Sequence, residues 1–329
     1  MIKTVELPQT PFYVELEVTS SCNLSCRYCF AKPLRGLMPS YDELDFLLEK
    51  TRREANPFQI VLMGGEPFLR KDIIRVLTRT KELFGDFGIS TNGTMLPRLS
   101  SSALEELKGL VEERTIQVSI DSLDDSINSF GRGGTQQVLR GMDVLERASV
   151  PFTAGIVVFQ ANANDLASTI RRLLKRYRKS LRAINLNRLM PSFVLGADFY
   201  NLKLSPTEYV KATSVAHTIV KDLGREDVAV FIEKEDYKGC VKIDELGSEG
   251  CLQGITRAEV FSNGDVGPCS MLRNAVIGNL YRESWRDIWK RALETSCSML
   301  ARQPGMLCQA LHAGPENALK LTVSAPSYA

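Results

Sequence analysis

Histidine is scarce in this chain, and long hydrophobic runs and an excess of charge of one sign are absent. Only two of the 329 residues are histidine, His217 and His312, and no motif surrounds either. No stretch approaches the roughly 18 uninterrupted apolar residues of a membrane-spanning helix. The 41 basic and 39 acidic side chains leave a net charge of +2, which does not favour nucleic acid or a membrane surface as the main partner. We therefore expect neither, and read the histidines as ordinary residues.

The eight cysteines need an explanation that fits their compartment. The N-terminal segment has no apolar run after its single early lysine, so we expect no signal peptide and a cytoplasmic location. Disulfides are rare in a reducing cytosol, and a chain that is 44% hydrophobic can bury a core without them. The cysteines are therefore expected to be metal ligands, catalytic groups or core residues.

Strand-like apolar segments alternate with longer helical patterns in the first two thirds of the chain. The pattern predicts strands at residues 13–19, 59–63, 87–91, 115–120, 152–159 and 182–189. It predicts helices near residues 40–54, 71–84, 100–110, 135–148, 164–178 and 205–223. Six successive β–α units indicate an α/β fold with a parallel sheet covered by helices. Periodicity leaves an open sheet and a partial barrel both open, and either binds ligands at the carboxyl ends of its strands.

Three cysteines follow the first predicted strand within eight residues: Cys22, Cys26 and Cys29. A loop lets their sulfurs converge, so they could hold three corners of a 4Fe–4S cluster. Since such a cluster normally takes four cysteines, three would leave one iron open to a small molecule, as a catalytic zinc keeps one open position. Buried thiols or a structural zinc site are the alternatives, and zinc would need a fourth cysteine or histidine nearby.

The spacing C-x3-C-x-Tyr-C after a first strand resembles the motif of the radical S-adenosylmethionine (radical SAM) superfamily. In that family the open iron chelates S-adenosylmethionine, which is reductively cleaved to a 5′-deoxyadenosyl radical. The resemblance implies a partial (β/α)6 barrel of the TIM type over residues 1–225, and it places Tyr28 near the adenine. It covers roughly residues 12–200.

Companion motifs of that family follow the next strands in order. Gly64-Gly65-Glu66-Pro67 resembles the GGEP motif that binds the methionine amino group; paired glycines allow close approach, and a carboxylate accepts hydrogen bonds from an ammonium. The alternative for this motif is an ordinary glycine-rich turn between a strand and a helix. Arg132 could hold a carboxylate of the cofactor, and the alternative is that it is a solvated surface residue. The resemblance implies that the following residues contact the cofactor: Tyr28, Gly64, Gly65, Glu66, Pro67, Ser90, Asn92, Ser119, Asp121, Arg132 and Arg188.

The remaining five cysteines lie beyond residue 239. Cys251 and Cys269 fit C-x12-G-x4-C around Gly264, where Asn-Gly-Asp predicts a hairpin. This resembles the SPASM and twitch extensions of radical SAM enzymes, although the dense cysteine run of a full SPASM domain is missing. The resemblance implies a cysteine-rich domain at residues 226–315, before a tail at 316–329. It also implies one auxiliary 4Fe–4S cluster on Cys251, Cys269, Cys297 and Cys308, with a zinc ion as the alternative. Cys240 is left over as a core residue, a ligand or a catalytic acid, base or hydrogen donor.

The resemblance implies an enzyme of the oxidoreductase or maturase type that abstracts hydrogen from its substrate, most simply for oxidative maturation of a peptide. A small-molecule dehydrogenase or decarboxylase, acting on an amino alcohol, sugar acid or porphyrin side chain, is the first alternative. A non-catalytic metal-binding protein is the alternative of another class. The enzyme would take electrons from a low-potential donor such as ferredoxin or flavodoxin.

Overall fold

A computed structural model describes residues 9–31, 36–190, 198–233, 256–268, 273 and 275–302, the last eight of them by backbone alone. The strands are β1 (Tyr13–Thr19), β2 (Gln59–Gly64), β3 (Gly88–Thr91), β4 (Ile116–Ser119), β5 (Phe152–Val158), β6 (Leu181–Arg188), β7 (Ala229–Ile232), β8 (Arg257–Val260), β9 (Asp265–Gly267) and β10 (Gly278–Asn279). The helices are α1 (Tyr41–Glu54), α2 (Ile73–Phe84), α3 (Ser101–Leu110), α4 (Asp125–Gly131), α5 (Thr135–Ala148), α6 (Leu166–Arg176), α7 (Asp198–Leu202), α8 (Pro206–Thr213), α9 (Val215–Asp222) and α10 (Trp285–Arg302). None of these helices combines the length and apolar character needed to cross a membrane.

The strands form one sheet in the order β10-β9-β8-β1-β2-β3-β4-β5-β6-β7. Neighbours from β8 through β1 to β7 are parallel, while β9 and β10 pair antiparallel. β7 and β10 are the two ends of this order, so the described strands do not close into a full barrel, and the sheet forms a partial barrel of the TIM type. All six predicted strands are confirmed, and so is the α/β class.

The helices begin where the sequence provides caps. Ser40 and Glu43 form a reciprocal capping box at the start of α1, and Ser205 and Glu208 form one at α8. In each box the serine hydroxyl accepts from a backbone amide that would otherwise lack an intrahelical partner. These residues fix the helix starts to within one residue of their predicted positions.

The last predicted helix divides into two at Ser214. Its hydroxyl donates to the carbonyl of Lys211 at 3.1 Å, and the Thr213 hydroxyl donates to the carbonyl of Tyr209 at 2.9 Å. Hydroxyl groups that bond back to the preceding turn compete with the backbone ladder and bend helices. The prediction of a single helix over 205–223 was therefore wrong at this point.

One face of the sheet packs under the helices and the other lines the barrel interior. Leu16, Leu62 and Ile89 belong to the buried core on the helix side. On the interior side Asn185 donates from Nδ2 to Oε1 of Gln117 across β5, at 2.6 Å. This bond requires glycine in β5 between them, because a Cβ on Gly155 would stand 2.9 Å from the Gln117 side chain. The interior face of the sheet is therefore polar at this level.

The C-terminal segment continues the barrel sheet. β8 runs parallel to β1, and the chain then turns at Gly264, with φ +79°, into β9 as the Asn-Gly-Asp signal predicts. On the other edge β7 extends the sheet beside β6. The same sheet therefore includes residues on both sides of the predicted boundary at residue 225, which itself stays a prediction.

A buried ion pair joins β1 to the segment that follows β9. Glu17 on β1 accepts hydrogen bonds from the Ser262 hydroxyl and the Arg273 guanidinium. Both charged side chains are almost fully buried. Arg273 also lies 3.8 Å from Glu259 on β8. The pair holds the segment after β9 against the first strand.

Candidate active site

The three clustered cysteines lie in the loop that leaves the carboxyl end of β1. Cys26 is buried, whereas Cys22 and Cys29 are partly exposed. The loop is anchored from the far side of the sheet, because the Arg27 amide donates to the carbonyl of Gly131 at 2.7 Å. The loop therefore sits at the strand ends, where a parallel barrel places its active site.

Gly64 and Gly65 lie against the backbone that leads into this loop. The amides of Gly65 and Glu66 donate to the carbonyls of Thr19 and Ser21, at 2.7 and 2.8 Å. A Cβ on Gly65 would stand 2.0 Å from the Ser21 carbonyl oxygen, and one on Gly64, with φ +142°, 2.1 Å from that of Thr19. The close approach that paired glycines predict is therefore made here by the base of the cysteine loop.

Glu66 is fully buried and accepts three hydrogen bonds from its own chain. Its Oε1 accepts from the Phe68 amide at 3.0 Å and the Thr91 hydroxyl at 2.6 Å, and Oε2 accepts from the Asn92 amide at 2.6 Å. Burial raises the pKa of this carboxyl to about 7, with the three donors acting in the opposite direction. Glu66 thereby ties the end of β2 to the end of β3.

Asn92 carries this connection on to the cysteine loop. Its Nδ2 donates to Oδ1 of Asn23 at 3.0 Å and lies 3.9 Å from Sγ of Cys22. Its Oδ1 accepts from the Thr94 amide at 2.9 Å and hydroxyl at 2.6 Å. The Asn23 side chain closes the ring by donating to the Thr94 hydroxyl at 2.8 Å. Asn23 and Thr94 were missed by the sequence reasoning, although their places inside the two motifs were a usable signal.

Tyr28, Asp121 and Arg132 meet on the opposite side of the loop. The Tyr28 hydroxyl donates a short hydrogen bond to Oδ2 of Asp121. The other carboxylate oxygen accepts from the Val157 amide at 3.1 Å and from Nε of Arg132 at 3.4 Å. The guanidinium carbon of Arg132 lies 5.5 Å from the centre of the Tyr28 ring. Burial raises the pKa of Tyr28 well above its ordinary value, so its hydroxyl stays a donor.

Aromatic residues without a motif extend this side of the site. Phe159 packs edge-to-face on Tyr28, with ring centres 5.9 Å apart, and stacks with Phe130 at 6.2 Å. The Arg27 guanidinium lies 4.6 Å from the Phe130 ring centre and pairs with Asp198 at 2.7 Å. The positions of these residues along the chain did not indicate that they lie together.

The remaining predicted cofactor contacts lie around the rim and interior. Pro67 begins a 3-10 turn that Glu66 caps. Ser90 and Ser119 are partly buried near the ends of β3 and β4. Arg188 ends β6, where its amide donates to Oε2 of Glu233 at 2.8 Å and its guanidinium carbon lies 4.2 Å from the centre of the Tyr209 ring.

Most of the predicted auxiliary ligands cannot be placed. Cys251, Cys269 and Cys308 lie outside the described residues, as does Cys240. Cys297 lies on α10, where the backbone alone is described. Their roles stay predictions.

The donor set of the cysteine loop suits a 4Fe–4S cluster. In the described ranges no three Cys, His, Asp or Glu side chains are placed to share a single metal ion. A cubane distributes its thiolates over separate irons, and three thiolates leave one iron without a protein ligand. The Leu24 amide donates to Sγ of Cys22 at 3.5 Å, and hydrogen bonds to sulfur are usual around iron–sulfur clusters.

A partial α/β barrel with three thiols in one loop at its strand ends is the arrangement expected of an iron–sulfur barrel enzyme. The profile of the Radical SAM superfamily matches residues 16–173, and that of SPASM, an iron–sulfur cluster-binding domain, matches residues 251–309. The chain belongs to the radical SAM superfamily and carries a C-terminal SPASM domain. It is therefore an enzyme, and the non-catalytic alternative is set aside. Its cofactors are S-adenosylmethionine, the 4Fe–4S cluster that binds it, and the auxiliary iron–sulfur clusters that a SPASM domain binds.

Curated relatives align over most of the chain at low identity. The chain is 24% identical to an AdoMet-dependent heme synthase of Methanosarcina barkeri, covering 88% of this chain and 84% of that one. It is 26% identical to a GTP 3′,8-cyclase of Clostridium botulinum, in a match that covers 86% of this chain and 88% of the cyclase.

Solved structures share the fold. SuiB of Streptococcus suis, bound to S-adenosylmethionine, superposes with a TM-score of 0.69 at 16% identity. That match covers 85% of this chain but 66% of SuiB, so this chain spans about two thirds of SuiB. anSMEcpe with bound AdoMet superposes with a TM-score of 0.62 at 19% identity, and the match covers 86% of this chain and 82% of anSMEcpe.

Proposed function

We propose that this enzyme reductively cleaves S-adenosylmethionine and uses the resulting radical to abstract hydrogen from a peptide substrate during its oxidative maturation. The reduced cluster, when bound, supplies the electron that breaks the carbon–sulfur bond of the sulfonium and yields a 5′-deoxyadenosyl radical. The observation that carries the proposal is the three-thiol loop fixed at the strand ends by Glu66, Asn92 and Asp121.

Each of the motif residues has a task in this proposal. Cys22, Cys26 and Cys29 hold three irons of the cluster. The turn of Gly64 and Gly65 keeps the loop against β2, so that backbone at this turn faces the methionine end of the cofactor.

Arg132 is suited to the methionine carboxylate. Asp121 holds its Nε at 3.4 Å, and no acceptor among the described residues engages its two Nη groups. A bidentate contact to a carboxylate uses such paired donors. Tyr28 and Phe159 supply an apolar wall for the adenine, and the polar groups of Ser90, Asn92, Ser119 and Arg188 are proposed further contacts.

A peptide substrate is supported by proteins of the same fold. SuiB is known bound to the precursor peptide SuiA, and anSMEcpe is known with a bound peptide and AdoMet. We propose that the segment beyond residue 225 holds one auxiliary cluster, on Cys251, Cys269, Cys297 and Cys308, which accepts an electron from the substrate. Ferredoxin or flavodoxin would supply the first electron.

A small molecule is the second candidate, and the curated relatives favour it. The heme synthase and the GTP 3′,8-cyclase both align over more than four fifths of this chain. A porphyrin side chain is then the first compound to test. A pull-down that recovers a small protein would favour the peptide, whereas turnover of an iron porphyrin would favour this alternative.

The cleavage reaction is tested by anaerobic reconstitution with iron and sulfide, then reduction with S-adenosylmethionine. We expect release of 5′-deoxyadenosine and about eight irons per chain for two cubane clusters, or about four for one. Cys26→Ala should abolish release. Release that persists in Cys26→Ala would contradict the site assignment.

A further inference from the structure

Arg132 and Asp121 form a buried pair of opposite charges beside the cysteine loop. The Asp121 side chain is fully buried, and the Arg132 side chain is 12% exposed. Charges at this depth are screened much less by salt and water than surface charges are. Each member of the pair therefore acts on groups several ångströms away.

Tyr28 and Gly131 fix the pair next to the cysteines. Tyr28 lies directly before Cys29, and it contacts Asp121 through its hydroxyl and Arg132 through its ring. Gly131 closes the contact, because a Cβ there would stand 3.1 Å from both the Asp121 carboxylate and the Tyr28 ring. A side chain at position 131 would therefore push Tyr28 and Asp121 apart.

The backbone brings the pair close to Cys26. The amide of Arg27, the residue after Cys26, donates to the carbonyl of Gly131, the residue before Arg132, at 2.7 Å. A guanidinium beside the loop favours negative charge there, and a carboxylate opposes it.

We propose that the Arg132–Asp121 pair sets the reduction potential of the cluster held by Cys22, Cys26 and Cys29. The inference rests on the proposed function, since it assigns that cluster to these thiols. A 4Fe–4S cluster gains one negative charge on reduction, so a nearby cation stabilises the reduced form and a nearby anion destabilises it. Arg132 raises the potential, and Asp121 positions Arg132 and offsets part of its charge.

The test is a redox titration of the full chain, reconstituted anaerobically without S-adenosylmethionine. The EPR signal of the reduced cluster is followed at poised potentials and is assigned to this cluster by its change when the cofactor is added. Arg132→Gln should lower the midpoint potential, and Asp121→Asn should raise it. The double variant should have a midpoint potential between those of the two single variants, below the wild type but by less than Arg132→Gln, because Asp121 offsets only part of the Arg132 charge.

Two matched variants separate charge from damage to the fold. Arg132→Lys keeps the cation and should hold the potential near that of the wild type, whereas Arg132→Gln should not. Tyr28→Phe removes a hydrogen bond without changing charge and should shift the potential less than either charge variant. The Lys and Gln pair decides the question even where Asp121→Asn assembles no cluster.

Equal midpoint potentials in Arg132→Gln and Arg132→Lys, at wild-type iron content and circular dichroism, would overturn the inference. Shifts of the same sign in Arg132→Gln and Asp121→Asn would also overturn it. If S-adenosylmethionine changes no EPR signal in the wild type, the proposed function fails and the inference fails with it. If the cofactor changes the signal but the charge variants do not move the potential, the inference alone fails.

Discussion

Glu66 places a carboxyl group where water does not reach, and this makes folding sensitive to pH. Its pKa of about 7 in the folded protein lies above the ordinary value of 4.5. The folded state therefore keeps this proton to higher pH than the unfolded chain does, and the free energy of unfolding falls as pH rises through this window. Urea unfolding at both ends of the window should show a larger loss for the wild type than for Glu66→Gln, which cannot titrate. Identical pH dependence would contradict this.

Position 65 has no room for any side chain larger than that of glycine. Gly65→Ala would put a methyl group 2.0 Å from the Ser21 carbonyl oxygen, so the cysteine loop would have to move. We expect loss of bound iron together with lower stability, measured by iron content and thermal unfolding. Gly109→Ala is the matched control, since nothing lies within 4 Å of a Cβ in that helical position. It should be stabilising by up to about 1 kcal/mol.

The sequence identifies these residues, but it does not identify the contacts that they make. Glu66 and the paired glycines are recognisable from their motif and their place after a strand. Their contacts with Thr91, Asn92 and Ser21 come from other strands and loops, and no spacing along the chain encodes which loop lies beside which. The contacts of Arg188 depend in the same way on a neighbour, Tyr209, more than twenty residues away.

Among the elements, α10 depends most clearly on one side chain. Trp285 is fully buried, its indole N–H donates to the Thr51 hydroxyl of α1 at 3.2 Å, and its amide donates to Glu54 at 3.0 Å. Trp285→Ala removes this contact and leaves a cavity, which should cost about 3–5 kcal/mol. Urea unfolding measures the loss. Trp285→Phe keeps most of the volume and should lose less; an equal loss would assign the effect to the indole hydrogen bond.

The long amphipathic helices and buried strands could be predicted because each has a strong period and a cap. The short elements α4, α7 and β7 were missed, since each has eight residues or fewer and owes its conformation to what it packs against. For α4 the tertiary contact is the Cys loop, whose Arg27 amide bonds to Gly131.

Across the whole molecule, Glu17 and Arg273 couple the first strand to the C-terminal segment. Arg273→Met would leave the buried Glu17 carboxylate without its cation, and we expect a cost of about 3–5 kcal/mol. The double variant Glu17→Gln, Arg273→Met should recover part of that cost, because the Glu17 charge is removed together with its partner, and only part, because the buried Glu259 still loses Arg273. Chemical denaturation of the three proteins tests this. A double variant less stable than Arg273→Met would contradict it.

The sheet also predicts that the barrel does not fold alone. A chain ending at residue 225 would lose β7 and β8 and expose both edges of the remaining parallel sheet, and such edges pair with other chains. We expect aggregation, measured by light scattering. A chain ending at residue 302 keeps every described strand and helix and should stay monodisperse. A monodisperse 1–225 chain would instead make the predicted boundary an independent domain border.

The pairing of β1 with β8 has a consequence for synthesis on the ribosome. β1 emerges first, but its outer partner lies near the opposite end of the chain. At about 5–20 residues per second, one side of β1 waits on the order of tens of seconds before β8 is made. Throughout that delay the thiols of Cys22, Cys26 and Cys29 follow a strand that is paired on one side only. The loop that carries the three thiols is therefore complete before the strand that covers this edge of the sheet has been made.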